Sequence, residues 1–140
     1  MAEAAATIVS LVVPALHITR LLLDDVKTIK DAPREIEDLA KDVESYAVCL
    51  ELLSSVQQTE WESRLGADAS DKTQKAIRSC EEACTEFRAK LTKWTEHSSK
   101  LSRWRRFRMG FFEKEQIRTL QRNLQSGKSS LNDAITIANL

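Results

Sequence analysis

Glycine, proline, histidine and cysteine are all scarce in this chain, and each shortage removes a class of protein. Three Gly and two Pro in 140 residues, with Val, Ile and Thr outnumbered by Leu, Ala, Glu, Lys and Arg, favour helix over sheet. The two histidines, His17 and His97, fall on different expected helices. Neither has a nucleophile or paired carboxylate at a diagnostic spacing, so an enzyme is not expected. Cys49, Cys80 and Cys84 make no spaced framework, and no secretory charged region precedes the apolar start, which points to a reduced, cytoplasmic protein. Cys80 and Cys84, four apart, share a helix face but lack the second pair that zinc needs, so they read as core residues. Glycine-rich phosphate loops and calcium-loop spacing are also missing, and no cofactor or metal is expected. Residues 4–19 carry no formal charge, yet a span needs about 20 apolar residues and Arg20 ends this run early, so no constitutive membrane anchor is expected.

What is present has the length of one domain, residues 1–140, with enough chain to bury a core without disulfides or metals. The net charge is zero but unevenly spread. Residues 1–63 carry 5 basic and 12 acidic side chains, and residues 64–140 carry 16 basic and 9 acidic, so the C-terminal half is the half suited to an anionic partner.

A 3-4 apolar spacing recurs along the chain and predicts the fold class: all-α, an antiparallel bundle of about four long amphipathic helices plus one short helix. In the first, of roughly 25 residues, Ile8, Leu11, Ala15, Ile18, Leu22 and Ile29 share a stripe, with Val12 and Val26 beside it. Pro14 is expected to kink this helix or leave its first turns loosely held. The second begins with Asp31 as cap, Pro33 in the first turn and Glu35, Glu37 and Asp38 at the positive dipole end. Ile36, Leu39, Val43, Tyr46, Leu50 and Leu53 form its seam. Residues 59–62 (TEWE) match a capping box for a short helix that Gly66 closes, and residues 67–71 (ADASD) read as an exposed loop. A third long helix runs through Ile77, Cys80, Cys84, Phe87, Leu91, Trp94, Ser98 and Leu101. After a break at Gly110, the last carries Ile117, Leu120, Leu124, Leu131, Ala134 and Ala138, with Gly127 on the stripe where a missing side chain allows a close helix approach.

Residues 100–108 (KLSRWRRFR) hold five positive charges and two large aromatics. Arg103, Arg105, Arg106 and Arg108 suit anionic headgroups, and Trp104 and Phe107 suit a membrane interface. Two other readings stay open. Trp104 and Phe107 can be core residues with the arginines paired to the acidic half, or the segment can meet nucleic-acid phosphates, although no nucleic-acid motif accompanies it.

Three blocks carry a family resemblance: residues 4–11 (AAATIVSL), 26–39 (VKTIKDAPREIEDL) and 120–134 (LQRNLQSGKSSLNDA). Together they resemble the HeLo-like N-terminal domain of fungal STAND-type, NOD-like receptor proteins, over essentially the whole chain. The sequence departs from some members in having no glycine before Gly66, so a glycine zipper in the first helix is missing. The resemblance implies a signalling or effector bundle that induces programmed cell death by membrane targeting through its N-terminal helix when oligomerised. Its implied partners are further copies of itself or a neighbouring STAND domain, and anionic lipids, with recruitment from the cytoplasm to the plasma membrane on activation. Leu11, Val12, Ile18 and Leu22 are then the face that is core at rest and apolar contact when released. The alternative is a soluble protein-interaction or oligomerisation bundle without membrane activity; nucleic acid is not the expected partner.

Overall fold

The computed structural model describes residues 8–29, 34–96 and 111–138. They form five helices: α1 (Ile8–Lys27), α2 (Arg34–Ser54), the short α3 (Gln58–Arg64), α4 (Ala67–Glu96) and α5 (Phe111–Ala138). No strand occurs among the described residues. The apolar spacing is what turns each helix inward. All six seam residues of α2, from Ile36 to Leu53, are buried, as are Ile77, Cys80, Cys84, Phe87 and Leu91 of α4 and Ile117, Leu120, Leu124, Leu131, Ala134 and Ala138 of α5. They merge into one core.

α1 packs between α2 and α4, and α5 packs between the same two helices on the far side. Within each hairpin the helices run antiparallel. Across the hairpins they run parallel: Gln121 donates to Asp42 at 3.0 Å and the Cys49 thiol meets Asn132 at 3.6 Å, both contacts advancing in the same direction along α2 and α5. On the other side Arg88 reaches Asp25 at 2.8 Å. The chain therefore crosses the diagonal between α2 and α4, and α3 lies across that end of the bundle. Trp61 of α3 is 1% exposed, and Arg64 donates to the Ala138 carbonyl at 2.7 Å, satisfying one of the orphan acceptors at the end of α5.

Three local expectations are corrected. Residues 67–71 are not a loop but the first turn of α4: Leu65 is extended, the Ser70 amide donates to the Gly66 carbonyl at 2.9 Å, and Asp68 sits at the positive end of the dipole. Gly66 thus starts α4 instead of closing α3. The capping box does not form either, because α3 begins two residues earlier than Thr59 as N-cap would have it, at Gln58, with Gln57 as N-cap and no side-chain cap bond. Pro14 lies exposed inside an uninterrupted α1, its ring turned to solvent, where its missing amide costs one helical bond while the neighbouring turns stay packed. The expected cap and turn at Asp31 and Pro33, the break at Gly110, and Ser98 and Leu101 lie outside the described residues.

Gly127 is buried on the α5 stripe, as its spacing predicts. A Cβ built there would overlap Cys80 Sγ and stand 3.2 Å from Tyr46 Cε1, so α5 approaches α4 and α2 closely only because no side chain intervenes.

Candidate functional site

The feature that sets α1 apart is how little charge it carries and how much of its circumference is apolar. Its charges are Arg20, Asp24, Asp25 and Lys27, all in the last eight residues; residues 8–19 have none. Ile8, Val12, Ala15, Leu16, Leu22 and Val26 are buried, and Val9, Leu11, Ile18 and Leu23 pack half-covered against the core. Val13, on the opposite side, is 64% exposed. A helix that is apolar around most of its girth belongs in a protein core or in lipid.

Of the four residues expected to form a dual-purpose face, Val12 and Leu22 are completely buried, while Leu11 and Ile18 are half-buried at its edge. The structure thus brings all four onto the packed side of α1. Arg103, Trp104, Arg105, Arg106, Phe107 and Arg108 lie outside the described residues. Val13 and Leu16 are not singled out by spacing, because in the run IVSLVVPAL almost every angular position is apolar and only the packing decides which side is covered.

Two ion pairs tie α1 to its neighbours. Arg20 reaches Glu51 of α2 at 2.5 Å, and Asp25 meets Arg88 of α4 at 2.8 Å. The first is half-exposed and the second about a third exposed, so each contributes roughly 0–1 kcal/mol. Between them the contact is apolar apart from Thr19, which donates to the Ala15 carbonyl at 2.7 Å and thereby satisfies its own hydroxyl inside the core.

Around Tyr46 lie three thiols, with Cys84 toward α1 and Cys49 and Cys80 toward α5. Burial pushes the Cys84 thiol up to about 12, with the nearby Cys80 adding to the shift and the side-chain contact with the Thr19 hydroxyl opposing it. Burial also raises Cys49 and Cys80, and Cys80 donates to the Asn123 carbonyl at 3.3 Å. Tyr46 is raised as well, first by burial and then by the adjacent Cys80; its hydroxyl makes no well-aligned hydrogen bond despite that neighbour. These are thiols held neutral, the opposite of an activated nucleophile. No group of His, Cys, Asp and Glu among the described residues is arranged to hold a metal ion.

The raised values have a consequence for stability. Each thiol keeps its proton in the fold and gives it up at lower pH when unfolded, so the stabilisation is complete below the unfolded value near 9.0 and is lost as pH rises toward the folded values. The urea midpoint is expected to stay level from about pH 7 to 8.5 and to fall above that, by up to about 1.4 kcal/mol per pH unit for each thiol that titrates. Cys84→Ala should make the fall shallower; an unchanged slope would contradict this account.

Residues 2–140 match the family model described as pigment biosynthesis cluster protein PigL N-terminal. The chain belongs to that family. No curated protein and no solved structure matches it. For this PigL N-terminal domain the match spans all five helices, so the buried stripe of α1 and the thiol cluster both lie within the family unit. No helix among its described residues is long and apolar enough to cross a membrane.

Proposed function

We propose that this domain is a HeLo-like signalling and effector bundle, without enzymatic activity, that acts on anionic membranes when several copies are brought together. The observation that carries the reading is α1: a helix whose first twelve residues lack charge, held at one side of the bundle by apolar packing and two partly exposed ion pairs. If α1 leaves, α5 still bridges α2 and α4, so three packed helices remain to hold the chain together. Released, α1 is too short and too charged at its end to span a bilayer, but its apolar girth suits the headgroup boundary. Residues 100–108 supply the cations that favour anionic lipid. A single short helix binds a bilayer weakly, and several held together gain avidity. The family resemblance adds programmed cell death as the outcome, with recruitment from the cytoplasm to the plasma membrane on activation.

A liposome leakage assay with the full chain fused to an oligomerising tag tests this. Vesicles containing phosphatidylserine should leak and neutral ones should not. Two α1 variants separate membrane contact from folding. Val13 is solvent-exposed opposite the packed side, so Val13→Glu should leave both the thermal melt and leakage close to wild type. Leu11 is half-covered at the edge of the side that would meet lipid, so Leu11→Glu should abolish leakage while the chain still melts cooperatively. Intact anionic vesicles with the oligomerised wild type would overturn the reading.

A soluble interaction bundle is the second reading. It is favoured by Val48 and Leu52, each half-exposed on the outer side of α2, where packing within the bundle gives no reason for an apolar side chain.

A further inference from the structure

The contacts that seat α1 are very unequal in strength. Ile8, Val12, Leu16, Leu22 and Val26 are each 8% exposed or less and bury large apolar side chains against α2 and α4. The ion pairs Arg20–Glu51 and Asp25–Arg88 are partly exposed and lie in the last eight residues of the helix. Losing both pairs, each taken at the upper end for its kind, changes the balance between seated and released α1 by no more than about thirtyfold. Unseating the five apolar side chains, each taken at the low end, changes it by about a hundred-thousandfold or more. Charge screening therefore has too little leverage to free the helix. What can free it is a surface that takes up the same apolar area, since a ligand shifts an equilibrium only by its difference in affinity for the two states.

We propose that α1 is a lid over Cys84 that the lipid surface itself opens, and that loss of its ion pairs does not open it. Without lipid the helix stays seated from low to high ionic strength. At a bilayer boundary its apolar girth exchanges α2 and α4 for acyl chains. The inference rests on the membrane reading above and names what operates the helix. The three thiols report which part of the bundle opens. Cys84 has no exposed surface, and its side chain meets the Thr19 hydroxyl of α1. Cys80 and Cys49 face the other way: Cys80 donates to the Asn123 carbonyl of α5 and lies against Gly127, and Cys49 meets Asn132. Because α5 bridges α2 and α4 without α1, those two thiols stay covered when α1 leaves. Release of α1 alone exposes Cys84, whereas unfolding of the whole domain exposes all three.

Labelling of the full chain with N-ethylmaleimide, carrying the same oligomerising tag and read thiol by thiol by mass spectrometry, gives the test. On vesicles containing phosphatidylserine, Cys84 should label at least about a thousandfold faster than without lipid, while Cys49 and Cys80 keep their slow rates. Neutral vesicles should leave all three slow. Without lipid, raising salt from about 0.05 M to 0.5 M screens the ion pairs, and Arg20→Ala with Arg88→Ala removes them at partly exposed positions where the fold is kept. Either change should speed Cys84 labelling by no more than about thirtyfold. Salt or the double substitution matching the rate reached on vesicles would mean a charge latch. Three thiols labelling together on vesicles would mean general unfolding, and a protected Cys84 on bound vesicles would mean that α1 stays seated. Each of these overturns the proposal. Leakage is scored on the same vesicles: leakage with Cys84 protected sinks this inference and leaves the membrane reading standing, and exposed Cys84 with intact vesicles does the reverse.

Discussion

Leu22→Ala is expected to lower stability by about 2–5 kcal/mol, the range for emptying a fully enclosed leucine site. Leu22 has no exposed surface and sits where α1 meets the neutral thiols of the core, with no solvent edge through which the gap could relax. Against a total stability of about 5–15 kcal/mol the loss would take a large share of the folding free energy. Leu11→Ala should cost distinctly less, because Leu11 is already half-covered and gives up less buried area. Urea unfolding of both variants measures the ordering, and equal costs would mean that α1 is seated differently from the arrangement described here.

That ordering within α1 is also where sequence reading reached its limit. For α2, α4 and α5 the buried stripe is legible because polar residues fill the remaining positions, so the period has one phase. Ile36 to Leu53 and Ile77 to Leu91 are buried at the positions their spacing requires. In the first nine residues of α1 every position but Ser10 is apolar, and there the phase is fixed only by what stands on either side. Val12, Leu16 and Val26 are fully or almost fully buried, whereas Leu11, Ile18 and Ile29, on the expected stripe, are half-covered. Thr19 enters the core for a reason no hydropathy pattern carries, the bond from its hydroxyl back to Ala15. The start of α4 was hidden because ADASD has the composition of a loop, and the extended Leu65 that lets Gly66 open a helix is a backbone property. The choice of which helices run parallel was likewise invisible, since it depends on pairing between distant segments. The exposed strip of α2 could have been found: Val48 and Leu52 fall off the seam in an otherwise well-phased helix.

Gly127→Ala is the second large effect, and its sign reverses with context. Exchanging Gly for Ala in an exposed helix interior gains about 1 kcal/mol from propensity. Here the new methyl would collide with Cys80 Sγ and press on the Tyr46 ring, both of them buried. Overpacking of this kind costs about 1–3 kcal/mol or more, so a net destabilisation is expected. In a Cys80→Ala background the thiol is gone and the added methyl fills part of its space. The same Gly127→Ala step should then be close to neutral or favourable. A double-mutant cycle in urea measures the coupling, and additive effects would show that the two positions do not touch.

The diagonal crossing between α2 and α4 bears on the order of events as the chain folds. Each hairpin is local in sequence, but the seams between hairpins join residues 63 apart at Asp25 and Arg88 and 79 apart at Asp42 and Gln121. Closing such distances is slow compared with forming a helix or a tight hairpin. The rate-limiting step is therefore the docking of two half-built hairpins. Trp61 reaches its fully covered position only where the hairpins meet, so its fluorescence should change late, after most of the helical signal has appeared.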